Sequence, residues 1–132
     1  MVPVTDPIAL WHHIVAHRDP GPLAELLADD VVFHSPVVHT PQVGKRITRL
    51  YLIAAMKVLG NETFRYVREI VEDGQAVLEF RVEIEGVEIN GVDLLTWNAE
   101  GRLTEFKVMV RPLQAIQKLH EKMAERLSAG AG

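Results

Sequence analysis

The sequence predicts a single α+β domain in which helices pack against an antiparallel sheet. Two observations carry this prediction. Residues 75–85 alternate between apolar and polar side chains, which is typical of a strand with one buried face. Residues 91–97 and 102–111 are rich in β-branched and aromatic residues and flank the turn sequence Asn-Ala-Glu-Gly. They are therefore predicted to form a β-hairpin.

Length and composition bound the class of protein. A chain of 132 residues with 48% apolar and 24% charged residues is one globular domain with a sizeable core. The net charge of −4 gives no basic surface of the kind that nucleic acids or anionic membranes attract. The absence of cysteine excludes disulfides, thiolate catalysis and cysteine-bound metals. No apolar run approaches the ~20 residues of a membrane span. The first residues do not look like a signal peptide, so we expect a cytoplasmic protein.

The first third of the chain is predicted to hold two helices and a strand. Asp6 is a plausible N-cap with Pro7 at the first helical position. The helix buries an apolar stripe and is broken by Asp-Pro-Gly-Pro at 19–22; the stripe consists of Ile8, Trp11, Ile14 and Val15. A short helix is predicted over 23–28. A strand follows over 31–37, with Phe33 and Ser35 on one face.

Three histidines lie in the first helix. His13 and His17 are four residues apart and share a face, which is a spacing that can hold a metal. No acidic or histidine third ligand lies near them in the sequence. We therefore interpret them as a solvated flank beside the buried stripe, and we predict no metal site.

The remaining elements are a buried helix, further strands and a terminal helix. The helix before Gly60 is apolar around most of its girth, and strands are predicted over 64–72, 75–85 and from 87 into the hairpin. A last helix begins after Pro112 with an apolar stripe that must be covered, made of Leu113, Ile116, Leu119, Met123 and Leu127. The small residues of 128–132 are predicted to be a disordered tail.

Two stretches resemble a known superfamily. The hairpin combines an Asp-bearing strand, an Asn-x-x-Gly turn, a basic residue and a returning strand. Residues 26–37 look like a helix end leading into a first strand. Together with the order of elements, these stretches resemble the nuclear-transport-factor-2-like (NTF2-like) superfamily. This includes ketosteroid isomerases, SnoaL-type polyketide cyclases and limonene epoxide hydrolases.

The resemblance implies one SnoaL-like domain over residues 1–132. Its fold would be a cystatin-like cone, in which a strongly curved antiparallel sheet wraps around helices and an extra helix stands at the C-terminus. Such a sheet encloses a cavity between its concave face and the helices. An apolar cavity with few polar groups suits a small hydrophobic molecule and no cofactor. Besides Asp93, the residues expected to line it are Trp11, Phe33, Ser35, Tyr51, Phe80, Val82, Leu95, Trp97, Phe106, Val108 and Val110.

Only one of the three catalytic positions of the ketosteroid isomerases is matched. Those enzymes use an aspartate base together with an oxyanion hole made of a tyrosine and a protonated aspartic acid. The resemblance places the protonated acid on Asp93, the base on Ser35 and the tyrosine on or near Trp11. A serine is not a base at neutral pH, so the isomerase reaction with that residue set is not expected.

Other residues could supply the missing base. His39 follows Ser35 in the next loop and titrates near neutrality, whereas strand alternation points His34 away from the cavity. The alternative is that His39 is a loop histidine in water. The Asp-Arg-Asp set of the epoxide hydrolases is not visible, because Arg81 and Arg111 point outward by alternation.

Three functions of different classes remain. The first is a cofactor-free acid-base enzyme of the isomerase, cyclase or hydrolase type, with Asp93 as acid or oxyanion donor and His39 as base. The second is a binding protein that uses the pocket without chemistry, and the third is a dimeric interaction domain. We predict that Asp93 has a raised pKa, because no basic side chain of the hairpin shares its face. We also expect a homodimer through the convex sheet face, which carries Val77, Glu79, Arg81, Glu83, Glu105, Lys107 and Met109.

Overall fold

A computed structural model describes residues 3–131, with side chains through Ser128. Over these residues the chain forms four helices: α1 (Pro7–His17), α2 (Leu23–Leu26), α3 (Lys45–Leu59) and α4 (Leu113–Ala131). It also forms six strands: β1 (Leu27–His34), β2 (Gln42–Val43), β3 (Arg65–Glu72), β4 (Gln75–Ile84), β5 (Val87–Trp97) and β6 (Leu103–Arg111). The predicted α+β class is therefore confirmed. None of the described helices is long and apolar enough to cross a membrane.

The six strands form one sheet in the order β2-β1-β6-β5-β4-β3. The strands from β3 to β6 pair antiparallel, as the turns between them require. The predicted antiparallel sheet has one parallel pair, because β1 runs parallel to β6. A parallel pair needs a long connection, and here all the elements from β2 to β5 supply it. The first strand also begins earlier than predicted, since Leu27 already pairs with Leu103.

One face of the sheet, here called the inner face, is covered by α1 and α3. Burial along β4 alternates as the sequence predicts, with Ala76, Leu78, Phe80, Val82 and Ile84 buried. Helix α1 buries Ile8, Trp11 and Ile14 against this face. Helix α3 is less buried than predicted. It turns Thr48, Leu52 and Ala54 inward and leaves Leu50 exposed, because only one of its sides meets the sheet.

Local signals define where α1 begins and how the β5–β6 hairpin turns. The Oδ1 atom of Asp6 accepts a hydrogen bond from the Ala9 N–H at 3.0 Å, which satisfies a donor of the first helical turn. In the hairpin, the Asn98 side chain accepts from the N–H groups of Glu100 and Arg102 at 3.0 and 3.1 Å. Gly101 then takes a positive φ of 76°. The predicted turn at 98–101 is thus confirmed.

Helix α4 is held against the domain by packing and charge. Leu119 and Met123 pack with Ala54 of α3, whereas Leu113, expected in the covered stripe, is 68% exposed. Lys118 and Lys122 reach Glu85 in the β4–β5 turn at 3.2 and 2.5 Å. Hydrogen bonds from these two lysines lower the pKa of the Glu85 carboxyl. The helix is traced to Ala131. The predicted disordered tail covers residues 128–132. In this range the structure describes a side chain only for Ser128, and Gly132 lies outside the described residues.

Two glycines with the same backbone conformation allow a matched test of the hairpin turn. Gly101 and Gly86 have φ of 76° and 81°, but a Cβ on Gly101 would lie 1.9 Å from the Val4 carbonyl oxygen, whereas Gly86 faces open space. We expect Gly86→Ala to cost about 1 kcal/mol from the left-handed conformation alone. Gly101→Ala should cost more than about 2 kcal/mol, because Val4 must also move. Urea denaturation of both variants measures the difference, and equal losses would contradict the prediction.

Candidate functional site

A cavity of about 280 Å³ lies between the inner face of the sheet and the helices α1, α3 and α4. Its wall is almost entirely apolar, and its volume is near the lower end of known ligand pockets. The aromatic and aliphatic side chains that line it come from all of these elements, and they include Phe33, Leu52, Met56, Phe64, Phe80, Phe106, Val108, Leu119 and Met123. Polar groups are few, so their arrangement defines what the cavity can do.

The polar groups at the inner wall form a chain of hydrogen bonds. The Trp11 indole N–H donates to the Tyr66 hydroxyl at 2.8 Å, and that hydroxyl donates to Oδ2 of Asp93 at 2.6 Å. All three side chains line the cavity. Within the described residues, no hydrogen bond to the second carboxyl oxygen of Asp93 is found. Oδ1 is therefore the atom through which this carboxyl can meet a ligand.

Burial determines the protonation of Asp93. Its side chain is 5% exposed and lies in β5 between Leu78 of β4 and Val108 of β6. Burial raises the pKa of this carboxyl from the ordinary 3.8 to about 7, although the hydrogen bond from Tyr66 lowers it. The direction is the one predicted from the sequence. Burial and then the charge of Asp93 raise the pKa of Tyr66 well above its ordinary value, so Tyr66 stays a neutral donor.

Tyr66 is positioned by a bulge and by aromatic packing. A register shift in β3 between Tyr66 and Arg68 leaves Tyr66 opposite Phe80, on the inner face. Phe64 contacts Tyr66 edge-on and stacks on Phe80 at 5.4 Å between ring centroids. The Phe80 ring lies over Gly91 of β5, where a Cβ would be 2.4 Å from it. The absence of a side chain at Gly91 thus gives this wall of the cavity its room.

The tyrosine is also covered from α1. The His12 ring meets the Tyr66 ring edge-on at 5.3 Å and forms a close contact with the Glu69 carboxylate through Nε2. His13 and His17 pack ring against ring on the exposed side of α1. Within the part of the chain that the structure describes, no three histidine, aspartate or glutamate side chains are grouped as a metal ion would require.

The predicted lining residues fall into two groups. Trp11, Phe33, Ser35, Phe80, Asp93, Phe106 and Val108 do line the cavity, whereas five others lie on the same side of the sheet but outside the cavity: Tyr51, Val82, Leu95, Trp97 and Val110. Alternation identifies the face of a strand. It does not say which part of that face a helix covers. Leu95 lies under α1, for example, and Val82 packs with Ile84, Ile89 and Ala115.

The two candidate bases, His39 and His34, do not line the cavity. His39 is exposed and lines a second depression with Lys107 and Met109, not the cavity that Asp93 lines. His34 borders the same depression and forms an ion pair with Glu105 at 3.3 Å. Ser35 does reach the cavity, where its hydroxyl oxygen accepts the Val37 N–H at 3.2 Å. The structure therefore does not bring His39 to Asp93.

Sequence reasoning missed Tyr66, the direct partner of Asp93. Phe64 and Tyr66, two aromatics two residues apart at the start of a predicted strand, were the available signal. It also missed three polar residues at the opening of the cavity, Arg18, Asn61 and Glu62, which follow the ends of α1 and α3.

Comparison with known proteins agrees with this geometry. A family model described as a SnoaL-like domain matches residues 8–106. A steroid delta-isomerase from Pseudomonas aeruginosa has 35% identity and a TM-score of 0.89, over 95% of this chain and 91% of that one. A protein with a cystatin-like fold from Silicibacter pomeroyi has 32% identity and a TM-score of 0.84, over 91% and 84%.

A third solved structure supports the fold alone. A putative SnoaL-like polyketide cyclase from Shewanella putrefaciens has 15% identity and a TM-score of 0.64, over 90% of this chain and 84% of that one. Among curated proteins, none matches the chain with significance.

The raised pKa of Asp93 makes stability depend on pH with a definite sign. Below the ordinary pKa of 3.8 both the folded and the unfolded chain hold the proton. As the pH rises towards 7, the unfolded carboxyl ionises first, so the folded state loses stability until its own carboxyl ionises. Relative to Asp93→Asn, the wild type should lose up to about 4 kcal/mol between about pH 4 and pH 8.

Urea denaturation of wild type and Asp93→Asn across this range measures the effect. Asp30→Asn, at an exposed position of β1, is the matched control. If the difference between wild type and Asp93→Asn does not change with pH, the pKa of the Asp93 carboxyl is not raised in the folded state.

Proposed function

Because the chain belongs to the SnoaL-like family, we propose that it is an enzyme that moves protons on a small apolar carbonyl compound without a cofactor. The observation that carries this proposal is the state of Asp93. One carboxyl oxygen is held by Tyr66 and the other is open to an apolar cavity. A pKa of about 7 lets the group both take up and release a proton at neutral pH.

The chemistry follows from these positions. The Asp93 carboxylate removes a proton from the carbon next to the substrate carbonyl, and the electron pair of the C–H bond moves to give an enolate. The neutral acid then returns the proton to the same or another carbon. Atoms and electrons balance without any co-reactant. The apolar wall excludes water, so the enolate is not protonated by solvent before the acid returns the proton.

The relatives support this class of reaction. The similar protein from Pseudomonas aeruginosa is a steroid delta-isomerase, an enzyme that shifts a double bond. Here Ser35 and Trp11 stand at two of the three positions that the ketosteroid isomerases use. Asp93, the carboxyl that is buried among the described residues, must therefore act as both acid and base in this reaction. Because a serine is not a base at neutral pH, Ser35 also favours a second candidate function, in which the pocket binds its ligand without catalysing a reaction.

Deuterium exchange separates these candidates, because every proton-transfer reaction of this class begins with enolisation. We expect wild type to accelerate exchange at the carbons beside the carbonyl of 2-tetralone in D₂O at least about 10²-fold over buffer. Asp93→Asn should return the rate to background, because an amide does not accept the proton. Proton NMR of the ketone follows the reaction.

His39→Gln is the control for this experiment, since His39 lies outside the cavity. Its exchange rate should equal that of the wild type, and a loss would restore His39 as the base. If 2-tetralone binds to the wild type without exchange above buffer, the binding function is favoured. If Asp93→Asn exchanges at the wild-type rate, the proposed role of Asp93 is wrong.

We also propose that two copies pair through the outer face of the sheet, the convex face of the sequence prediction. Ile70, Val77 and Leu94 form a row across β3, β4 and β5 on this face. The row continues to Lys107 of β6, and Met109 lies two residues further along that strand. Ile70 is 55% and Met109 is 49% exposed. Charged side chains border them, with Arg68 and Glu79 at 3.5 Å. An apolar centre with a polar border is the usual anatomy of an interface.

A charge placed in this row should separate the two copies. We expect sedimentation equilibrium to give a dimer for the wild type at micromolar concentration and a monomer for Ile70→Glu. The unpaired carboxylate would be buried among apolar groups in the dimer. Leu50→Glu, on the exposed side of α3, should remain a dimer. A monomeric wild type would contradict the proposal.

A further inference from the structure

We infer that Arg18 at the opening of the cavity binds an anionic group of the ligand, so that the substrate is a small apolar carbonyl compound that also carries a carboxylate. This inference rests on the proposed function and adds the class of substrate. The cavity has two polar ends of different depth. Asp93 is buried at the inner wall, and Arg18, which also lines the cavity, is exposed at its opening.

The backbone holds Arg18 in an unusual conformation. Arg18 is the C-cap of α1, with φ 51° and ψ 40°, in the left-handed region where glycine is the usual residue. The N–H groups of Arg18 and Asp19 bond to the carbonyls of Val15 and Ile14 at 3.4 and 3.1 Å, which closes the helix. A non-glycine residue in this conformation is strained, and such strain is concentrated at functional sites.

The side chain of Arg18 passes over the end of α3. Its Nε would be 3.7 Å from a Cβ at Gly60, and that Cβ would also be 2.3 Å from the Met56 carbonyl oxygen. The Arg18 side chain is thus in van der Waals range of Gly60, whereas the approach that excludes a Cβ there is that of the Met56 carbonyl. Within the described part of the chain, no hydrogen bond or ion pair of the Arg18 guanidinium is found. Arg18 is exposed and lines an apolar cavity, and a guanidinium binds a carboxylate through two parallel hydrogen bonds.

One cationic and one anionic side chain, Arg18 and Glu62, line the opening. Glu62 lines the same opening, and Asn61 is engaged, since it donates to the Glu83 carbonyl and accepts from Thr63. No ion pair between Glu62 and Arg18 is found among the described residues. Glu62 should repel a carboxylate. Removing its charge should therefore have the opposite effect on carboxylate binding to removing the charge of Arg18, which makes Glu62 the control.

Three probes with one naphthalene ring and different charge test the inference. They are 2-naphthoate, 2-naphthamide and 2-naphthylmethylammonium, each titrated into the full chain by calorimetry. For the wild type we expect the carboxylate to bind about tenfold more tightly than the amide, because one charge-assisted hydrogen bond contributes about that factor in affinity. Arg18→Gln should weaken binding of the carboxylate about tenfold and change binding of the amide less than about twofold.

Two further variants separate the charge from a structural role. Arg18→Lys keeps the charge but loses the paired donors, so it should retain part of the preference for the carboxylate. Glu62→Gln should leave binding of the carboxylate unchanged or tighter. If Arg18→Gln weakens the amide and the carboxylate equally, Arg18 only supports the end of α1, and the inference is wrong.

The remaining outcomes are also decisive. If the ammonium binds more tightly than the carboxylate, Glu62 and not Arg18 determines which charge the opening accepts, and the inference is wrong. The inference is also wrong if none of the three probes binds at millimolar concentration. 2-Tetralone carries no anionic group, so its deuterium exchange by the wild type tests proton transfer without the acid preference. Failure of the acid preference can therefore be distinguished from failure of the proton-transfer function.

Discussion

The hydrogen bond from Tyr66 to Asp93 is the interaction on which the site depends. An ionised carboxylate buried in an apolar wall would be strongly unfavourable without a donor, and a carboxylate with several donors would keep a low pKa. One donor leaves the group between these limits, with a pKa of about 7. The bond joins β3 to β5 across β4, and the Trp11 indole extends it to α1. Burial of the carboxyl therefore requires the sheet and the first helix to be assembled together.

Features far apart in the sequence give this hydrogen bond its geometry. The register shift in β3 sets the direction of Tyr66, and Phe64 and Phe80 hold its ring from the side. Phe80 occupies the space that Gly91 leaves free in the neighbouring strand. A side chain at Gly91 would push Phe80 towards the cavity. The same packing that stabilises the sheet thus determines the shape of the wall around Asp93.

Strand alternation predicted which face Asp93 occupies, because period two is a local property of the chain. Phe106 and Val108 stand opposite Leu95 and Asp93, as the position of the turn implies. The partner Tyr66 was not predicted, since it depends on a bulge and on the pairing of β3 with β4. The pocket was predicted too large because a helix such as α1 covers part of the inner face. His39 was misplaced because a loop has no period from which the direction of a side chain follows.

The resemblance places Ser35 where the ketosteroid isomerases have their base, and in the proposed reaction this changes the role of Asp93, the carboxyl that is buried among the described residues. Where two acids divide the work, one can remain ionised and the other neutral, and each pKa can lie far from 7. With one acid, the same group must be a carboxylate when the reaction begins and a neutral acid when the proton returns. A pKa near 7 makes both forms available at neutral pH. Tyr66 limits the rise in pKa that burial alone would give, and so keeps the carboxylate accessible. On this argument the hydrogen bond from Tyr66 compensates for the missing second carboxyl.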